Sequence, residues 1–98
     1  LKRTGVGIAR TGGYTGHGSG EVMIGFTTAN RIPSGCGEEL LQLSAIPEDV
    51  INQAFLAAAE AEQEAILNSM TAAKQTRGRE GELYYSLAEY LNDRKSET

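Results

Sequence analysis

The stretch Gly16-His17-Gly18-Ser19-Gly20-Glu21 sets a hydroxyl two residues from a carboxylate, beside the only histidine of the chain. In extended backbone, alternate side chains project to the same side. Ser19 and Glu21 would then face one way, about 6–7 Å apart at Cα. A hydroxyl and a carboxylate so placed can share a proton network and polarise a third group between them. The pair also fits a serine capping a turn and a glutamate at a strand end. Residue spacing leaves both readings open.

Other chemistries of a glycine-rich stretch fail on spacing. A phosphate-binding loop needs Gly-Lys-Ser/Thr after four intervening residues, and no lysine lies here. A dinucleotide-binding turn follows a strand and opens a helix, whereas here the apolar run comes after the glycines. A nucleophile elbow needs glycine two before and two after its serine; around Ser19 those positions are His17 and Glu21. His17, Glu21 and Cys36 do not form a recognisable metal-ligand spacing, and no metal site is expected. His17 reads as a loop histidine.

The elements that must position this stretch follow from pattern. Leu1 to Ile8 reads as the last turns of a helix, broken by Gly5 and Gly7. Residues 11–20 hold five glycines and read as a sharply turning loop. Residues 21–30 form the clearest strand, with Val22, Ile24 and Phe26 on a core face. Glu21, Met23 and Gly25 take the other face, with Ser19 if the extended backbone reaches that far. A loop follows, from Arg31 to Glu39. Pro47, Glu48 and Asp49 then open a long alanine-rich helix. Its predicted apolar stripe is Val50, Ile51, Ala54, Phe55, Ala58, Ala61, Ala65 and Ile66, with Glu60, Glu62 and Glu64 wet. Gly78 is the predicted stop, with Lys74 and Arg77 in the last turn. A turn, an apolar stretch around Leu83 to Leu91 and a charged tail end the chain.

Ninety-eight residues make at most one small domain with a modest core. One strand and two helices leave strand edges that must pair with something, so association with another polypeptide is expected. A truncated fold would look the same, and the chain opens at Leu1 without a methionine, as a processed or trimmed end would. The net charge of −4 argues against a nucleic-acid surface. Acids outnumber bases from Glu38 onward, as on a solvated helix. No apolar run reaches the roughly 20 residues that span a bilayer, and no signal peptide is expected at the start. Cys36 alone gives no internal disulfide, which points to a reducing, cytoplasmic compartment, with a periplasmic location the alternative.

Residues 7–31, Gly-Ile-Ala-Arg-Thr-Gly-Gly-Tyr-Thr-Gly-His-Gly-Ser-Gly-Glu followed by an apolar run ending Phe-Thr-Thr-Ala-Asn-Arg, resemble a segment of the DmpA-like aminopeptidases. That family includes the β-peptidyl aminopeptidases and the L-aminopeptidase D-amidase/esterases. The alanine-rich helix and the Gly78-Arg79-Glu80-Gly81 turn are similar to further family features, so the resemblance covers most of residues 5–82. It implies an α/β (α+β) fold in which residues 1–98 form the C-terminal part of one four-layer αββα sandwich, shared with an N-terminal large chain. It also implies a precursor that cleaves itself, a new N-terminal serine or threonine as nucleophile, and an acyl-enzyme. The reaction would release N-terminal residues from short peptides, amides or esters. No cofactor and a higher oligomer of the two-chain unit are implied.

Carried onto this sequence, the resemblance makes Ser19 the second active-site serine and Glu21 its acidic partner. Both would assist proton transfer around the nucleophile. Gly18 and Gly20 would let the backbone pass close to the active centre. Arg10 and Thr11 match the motif with structural roles. Two departures stand out. His17 occupies a position where asparagine is usual. The nucleophile would lie upstream of the point matching Leu1, outside these residues, and the oxyanion-hole donors largely on the large chain. Alternatives with the same fold are a non-catalytic interaction subunit and a related amidase or acyltransferase.

Overall fold

A seven-residue helix, α1 (Thr4–Arg10), lies against a 22-residue helix, α2 (Ile51–Ala72), in a computed structural model that describes residues 1–35 and 37–96. The sequence expectation for Cys36, and the last two tail positions, lie outside the described residues. Gly5 and Gly7 do not break α1; the helix runs through both. The reason is packing. A Cβ on Gly7 would sit 2.6 Å from the Ala59 carbonyl oxygen, 2.6 Å from Glu62 Cβ and 2.9 Å from the Gln63 amide nitrogen. Only glycine lets the α1 backbone rest directly on α2, and this contact outweighs the helix propensity that glycine lacks. Gly7 and Ala59 are accordingly buried.

Polar contacts flank that crossing. The Arg3 guanidinium lies 4.3 Å from the centroid of the Phe55 ring. Arg10 donates to Gln63 Oε1 at 3.5 Å. Contacts 3–55, 7–59 and 10–63 advance together, so the two helices run in the same direction. Helices that run the same way need a connection that returns along their length, and the described residues between Thr11 and Pro47 supply it without helix or strand.

α1 ends where the glycine-rich stretch begins. Gly12 takes φ +99°, its amide bonds the Ala9 carbonyl, and the Gly13 amide bonds the Ile8 carbonyl, both at 3.1 Å. This pair of reverse bonds is a Schellman stop. The first two glycines of the loop therefore close a helix.

The expected strand over residues 21–30 is corrected: these residues join no sheet in this chain. A strand needs a ladder partner, and among the described residues no segment forms a ladder with this one. The alternation nevertheless persists on one side. Met23 Sδ lies 2.9 Å from Thr4 Oγ1, and the Leu1 side chain covers Gly25. Val22, Ile24 and Phe26, expected in the core, are instead 90%, 89% and 93% exposed. Between α1 and this segment lies a cavity of about 190 Å³ lined by Leu1, Thr4, Ile8, Val22, Met23, Ile24 and Glu62. At the far end of the segment the Asn30 carboxamide pairs with Ser44. It donates to the Ser44 carbonyl and accepts from the Ser44 amide, both at 2.8 Å, as a backbone partner would.

Pro47 stands in extended conformation before a single 3₁₀ turn, Glu48–Val50, that leads into α2. The inward stripe of α2 differs from the expected one. Ala59 is buried and Ile51, Ala54, Phe55, Ala58, Glu62, Gln63 and Ile66 are half-buried, whereas Ala61 and Ala65 face solvent. Helical spacing fits both stripes, and the seat of Gly7 on Ala59 selects the observed one. α2 also stops at Ala72, because Ala73 turns extended, so Lys74 and Arg77 stand outside it. Thr76–Arg77 (β1) pairs antiparallel with Leu83–Tyr84 (β2), making the described chain mixed α/β. The turn expected at Gly78–Gly81 joins the two strands, closed by the Gly78 amide on the Glu82 carbonyl at 2.8 Å.

A third helix, α3 (Leu87–Ser96), replaces the expected charged tail. Its start is a capping box. The Glu89 amide bonds Ser86 Oγ at 3.2 Å, and the Ser86 amide bonds Glu89 Oε2 at 2.8 Å. Among the described residues no helix is long and apolar enough to cross a membrane.

Gly7→Ala is expected to destabilise the assembled protein by about 1–3 kcal/mol through overpacking, read as a lower denaturant midpoint. An unchanged midpoint would mean that α1 and α2 are not held at this crossing. Ser86→Ala is expected to remove about 1 kcal/mol from α3 and to raise hydrogen exchange at the amides of its first turn; unchanged exchange would refute the capping role.

Candidate active site

The site residues follow from the end of α1. After the stop at Gly12 and Gly13 the chain passes Tyr14, whose ring edge lies against Gly16: a Cβ there would meet Tyr14 Cε2 at 3.3 Å. Thr15 takes φ +57°, the one non-glycine residue with positive φ among those described. A β-branched residue in the left-handed region costs on the order of 1–3 kcal/mol. Residues Gly16–Ser19 then form a tight turn. The Ser19 amide donates to the Gly16 carbonyl at 3.0 Å, and Ser19 Oγ donates to the same carbonyl at 3.3 Å.

Ser19 is therefore a turn-capping serine within this chain, as one of the two sequence readings held. Glu21 opens the extended segment that lies over α1. Both side chains are exposed, as are Gly18 and Gly20. A Cβ on Gly18 or Gly20 would meet no atom within 4 Å, so no group of this chain presses on either glycine. His17 is exposed on the turn. Among the described hydrogen bonds none joins Ser19 to Glu21 or to His17. Arg10 and Thr11 sit at the close of α1, where Thr11 Oγ1 donates to the Ile8 carbonyl at 2.8 Å.

The arrangement leaves a hydroxyl with free lone pairs and a free carboxylate on one open loop. The serine proton lies on a carbonyl that cannot take it up as a base. Such a hydroxyl accepts a hydrogen bond from an incoming group, and a carboxylate accepts a proton. Thr15 and Asn30 carry geometry that sequence reasoning missed. Nothing in the residue type marks Thr15, since threonine is among the residues least expected at positive φ. Asn30 carries a weak signal as a polar residue closing an apolar run.

The family model of peptidase family S58 matches residues 1–84, a span that contains α1, the loop, the extended segment and α2. A β-peptidyl aminopeptidase, BapA of Sphingosinicella microcystinivorans, is 34% identical over 80 residues, covering 82% of this chain. The crystal structure of the PH0078 protein from Pyrococcus horikoshii OT3 superposes with a TM-score of 0.83 at 43% identity, covering 95% of this chain. The chain spans 20% of the length of that aminopeptidase and 26% of the length of that solved chain. These matches fall on the residues that carry the resemblance to the DmpA-like aminopeptidases. The chain belongs to peptidase family S58.

Proposed function

We propose that this chain is the small-chain part of a self-processing aminopeptidase or amidase. It releases N-terminal residues from short peptides, amides or esters through an acyl-enzyme. The observation that carries the reading is the family match across a loop on which Ser19 and Glu21 stand exposed and unpaired with each other. The name of the similar β-peptidyl aminopeptidase supports peptide-bond hydrolysis.

In this reading the nucleophile is an N-terminal serine or threonine outside residues 1–98. Its hydroxyl becomes reactive only when a base accepts its proton. The Glu21 carboxylate takes that proton, and Ser19 accepts a hydrogen bond from the attacking residue. When the acyl-enzyme forms, the same proton returns to the leaving amine, and water later releases the acyl group. The oxyanion donors come from the large chain. Gly18 and Gly20 leave open space that the substrate and the large chain fill. No cofactor is required, and the compartment is the cytoplasm.

Surface accounting supports the second chain. A folded monomer of 10.5 kDa exposes roughly 5,400 Å², whereas this chain exposes 8962 Å². Its radius of gyration is 20.1 Å, against about 13 Å for a self-contained domain of this length. The excess of roughly 3,500 Å² is of obligate-interface size. In a four-layer αββα sandwich the extended segment joins a sheet. Met23 and Gly25 face the helix layer, and Val22, Ile24 and Phe26 face the second sheet. The two-chain unit then forms a higher oligomer.

Glu21→Gln is expected to lower kcat for an aminoacyl p-nitroanilide by about 100-fold or more while assembly is retained. Unchanged turnover in an assembled variant would remove Glu21 from the mechanism. Mass spectrometry of the native complex is expected to show a large chain together with a small chain beginning at Ser or Thr. A native small chain beginning with neither would overturn the self-processing reading.

A further inference from the structure

We infer that Tyr14 is a specificity-determining residue: its ring is the wall on which the leaving-group side of the substrate rests. The inference rests on the proposed function, in which Ser19 and Glu21 serve the active centre. Three observations lead to it. Tyr14 is the one large apolar side chain between the close of α1 and Ser19, and it is 87% exposed, so its ring faces are open. The ring is nevertheless anchored at its phenol end. A Cβ on Gly16 would stand 3.3 Å from Tyr14 Cε2 and 3.5 Å from both Cζ and Oη. Gly16 is also the residue whose carbonyl receives the Ser19 amide and the Ser19 hydroxyl. One residue thus holds the ring and the Ser19 hydroxyl together. The third observation is Thr15, which stands between Tyr14 and Gly16 at φ +57°. Rotation about that bond would move Tyr14 relative to the Gly16–Ser19 turn as a whole. The strained value therefore sets the ring on Gly16, and strain of this kind concentrates at active sites and ligand clamps.

The side of the substrate follows from the proton path. The bond that breaks joins the acyl carbon to the leaving nitrogen. The proton held by Glu21 returns to that nitrogen, so the leaving amine must come within reach of Ser19 and Glu21. The acyl carbon stays on the nucleophile, outside residues 1–98. A ring that shares Gly16 with Ser19 therefore borders the leaving side. An open aromatic face attracts flat and apolar groups, and tyrosine loses little conformational freedom when such a group covers it. The leaving group departs as the acyl-enzyme forms. Substrates with one acyl residue then share every later step, so the preference is carried by kcat/KM.

The test uses the full processed enzyme, with kcat/KM measured on alanyl p-nitroanilide, alaninamide and leucyl p-nitroanilide. The parent is compared with Tyr14→Ala, Tyr14→Leu and Tyr14→Phe, so the intrinsic reactivity of each leaving group cancels. The ratio of alanyl p-nitroanilide to alaninamide should fall about tenfold in Tyr14→Ala and Tyr14→Leu. Tyr14→Phe, which keeps the ring, should keep the ratio. The ratio of alanyl to leucyl p-nitroanilide should hold in every variant, because the leaving group is the same. A retained first ratio in Tyr14→Ala and Tyr14→Leu overturns the inference and gives the ring to the large chain or to solvent. Equal losses on all three substrates would make Tyr14 a support of the loop, against the inference. So would a loss in Tyr14→Phe as large as in Tyr14→Ala, which would assign the effect to the hydroxyl. A shift in the alanyl-to-leucyl ratio would place the ring on the acyl side and overturn the inference too. Tyr14→Leu, which keeps apolar bulk, remains decisive if Tyr14→Ala does not assemble. A parent enzyme that cleaves none of the three substrates refutes the aminopeptidase reading itself, and the inference with it.

Discussion

The contact of Gly7 with the backbone of α2 is the constraint on which the rest of this structure depends. α1 has only seven residues, too few to be a stable helix alone. It persists because a residue without a side chain lets it settle on Ala59, Glu62 and Gln63. Once seated, its other stripe, Thr4, Gly5 and Ile8, together with Leu1 ahead of the helix, offers a surface for Met23 and Gly25. Its end delivers Gly12 and Gly13 to the start of the loop. The positions of Ser19 and Glu21 thus descend, step by step, from one helix crossing.

The same geometry accounts for what this chain leaves exposed. A segment of alternating residues can satisfy one face against α1, while its second face finds no cover among the described residues. Val22, Ile24 and Phe26 therefore stand in solvent in the isolated chain. An apolar face of that kind marks an interface. The superposition on a solved chain nearly four times as long shows that this arrangement of α1, loop and α2 recurs within a larger body.

The candidate site was legible where chemistry and motif coincide. Ser19, Glu21 and the flanking glycines stood out by type and spacing, and the string around them pointed to the right family. The long helix was legible from its acidic opening and its periodicity. Much of the rest was hidden by tertiary context. Gly7 has poor helix propensity, and only the close approach of α2 explains its place inside α1. The apolar run at residues 22–26 has a strand's pattern, but a ladder belongs to two segments and no pattern in one reveals the other. The stripe of α2 shifted because many alanines make several faces almost equally acceptable. The capping box Ser86-x-x-Glu89 and the Gly12-Gly13 stop were readable in principle, as standard start and stop signals. The left-handed Thr15 was not, since its conformation runs against its type.

A crystal structure of the native enzyme carrying a trapped acyl adduct tests the central claim most directly. The account predicts that the adduct sits on an N-terminal serine or threonine of the small chain. Ser19 Oγ should lie within hydrogen-bond distance of the reacting oxygen, about 3 Å, and the Glu21 carboxylate should lie beside Ser19. An adduct formed elsewhere, with Ser19 and Glu21 facing bulk solvent, would contradict it.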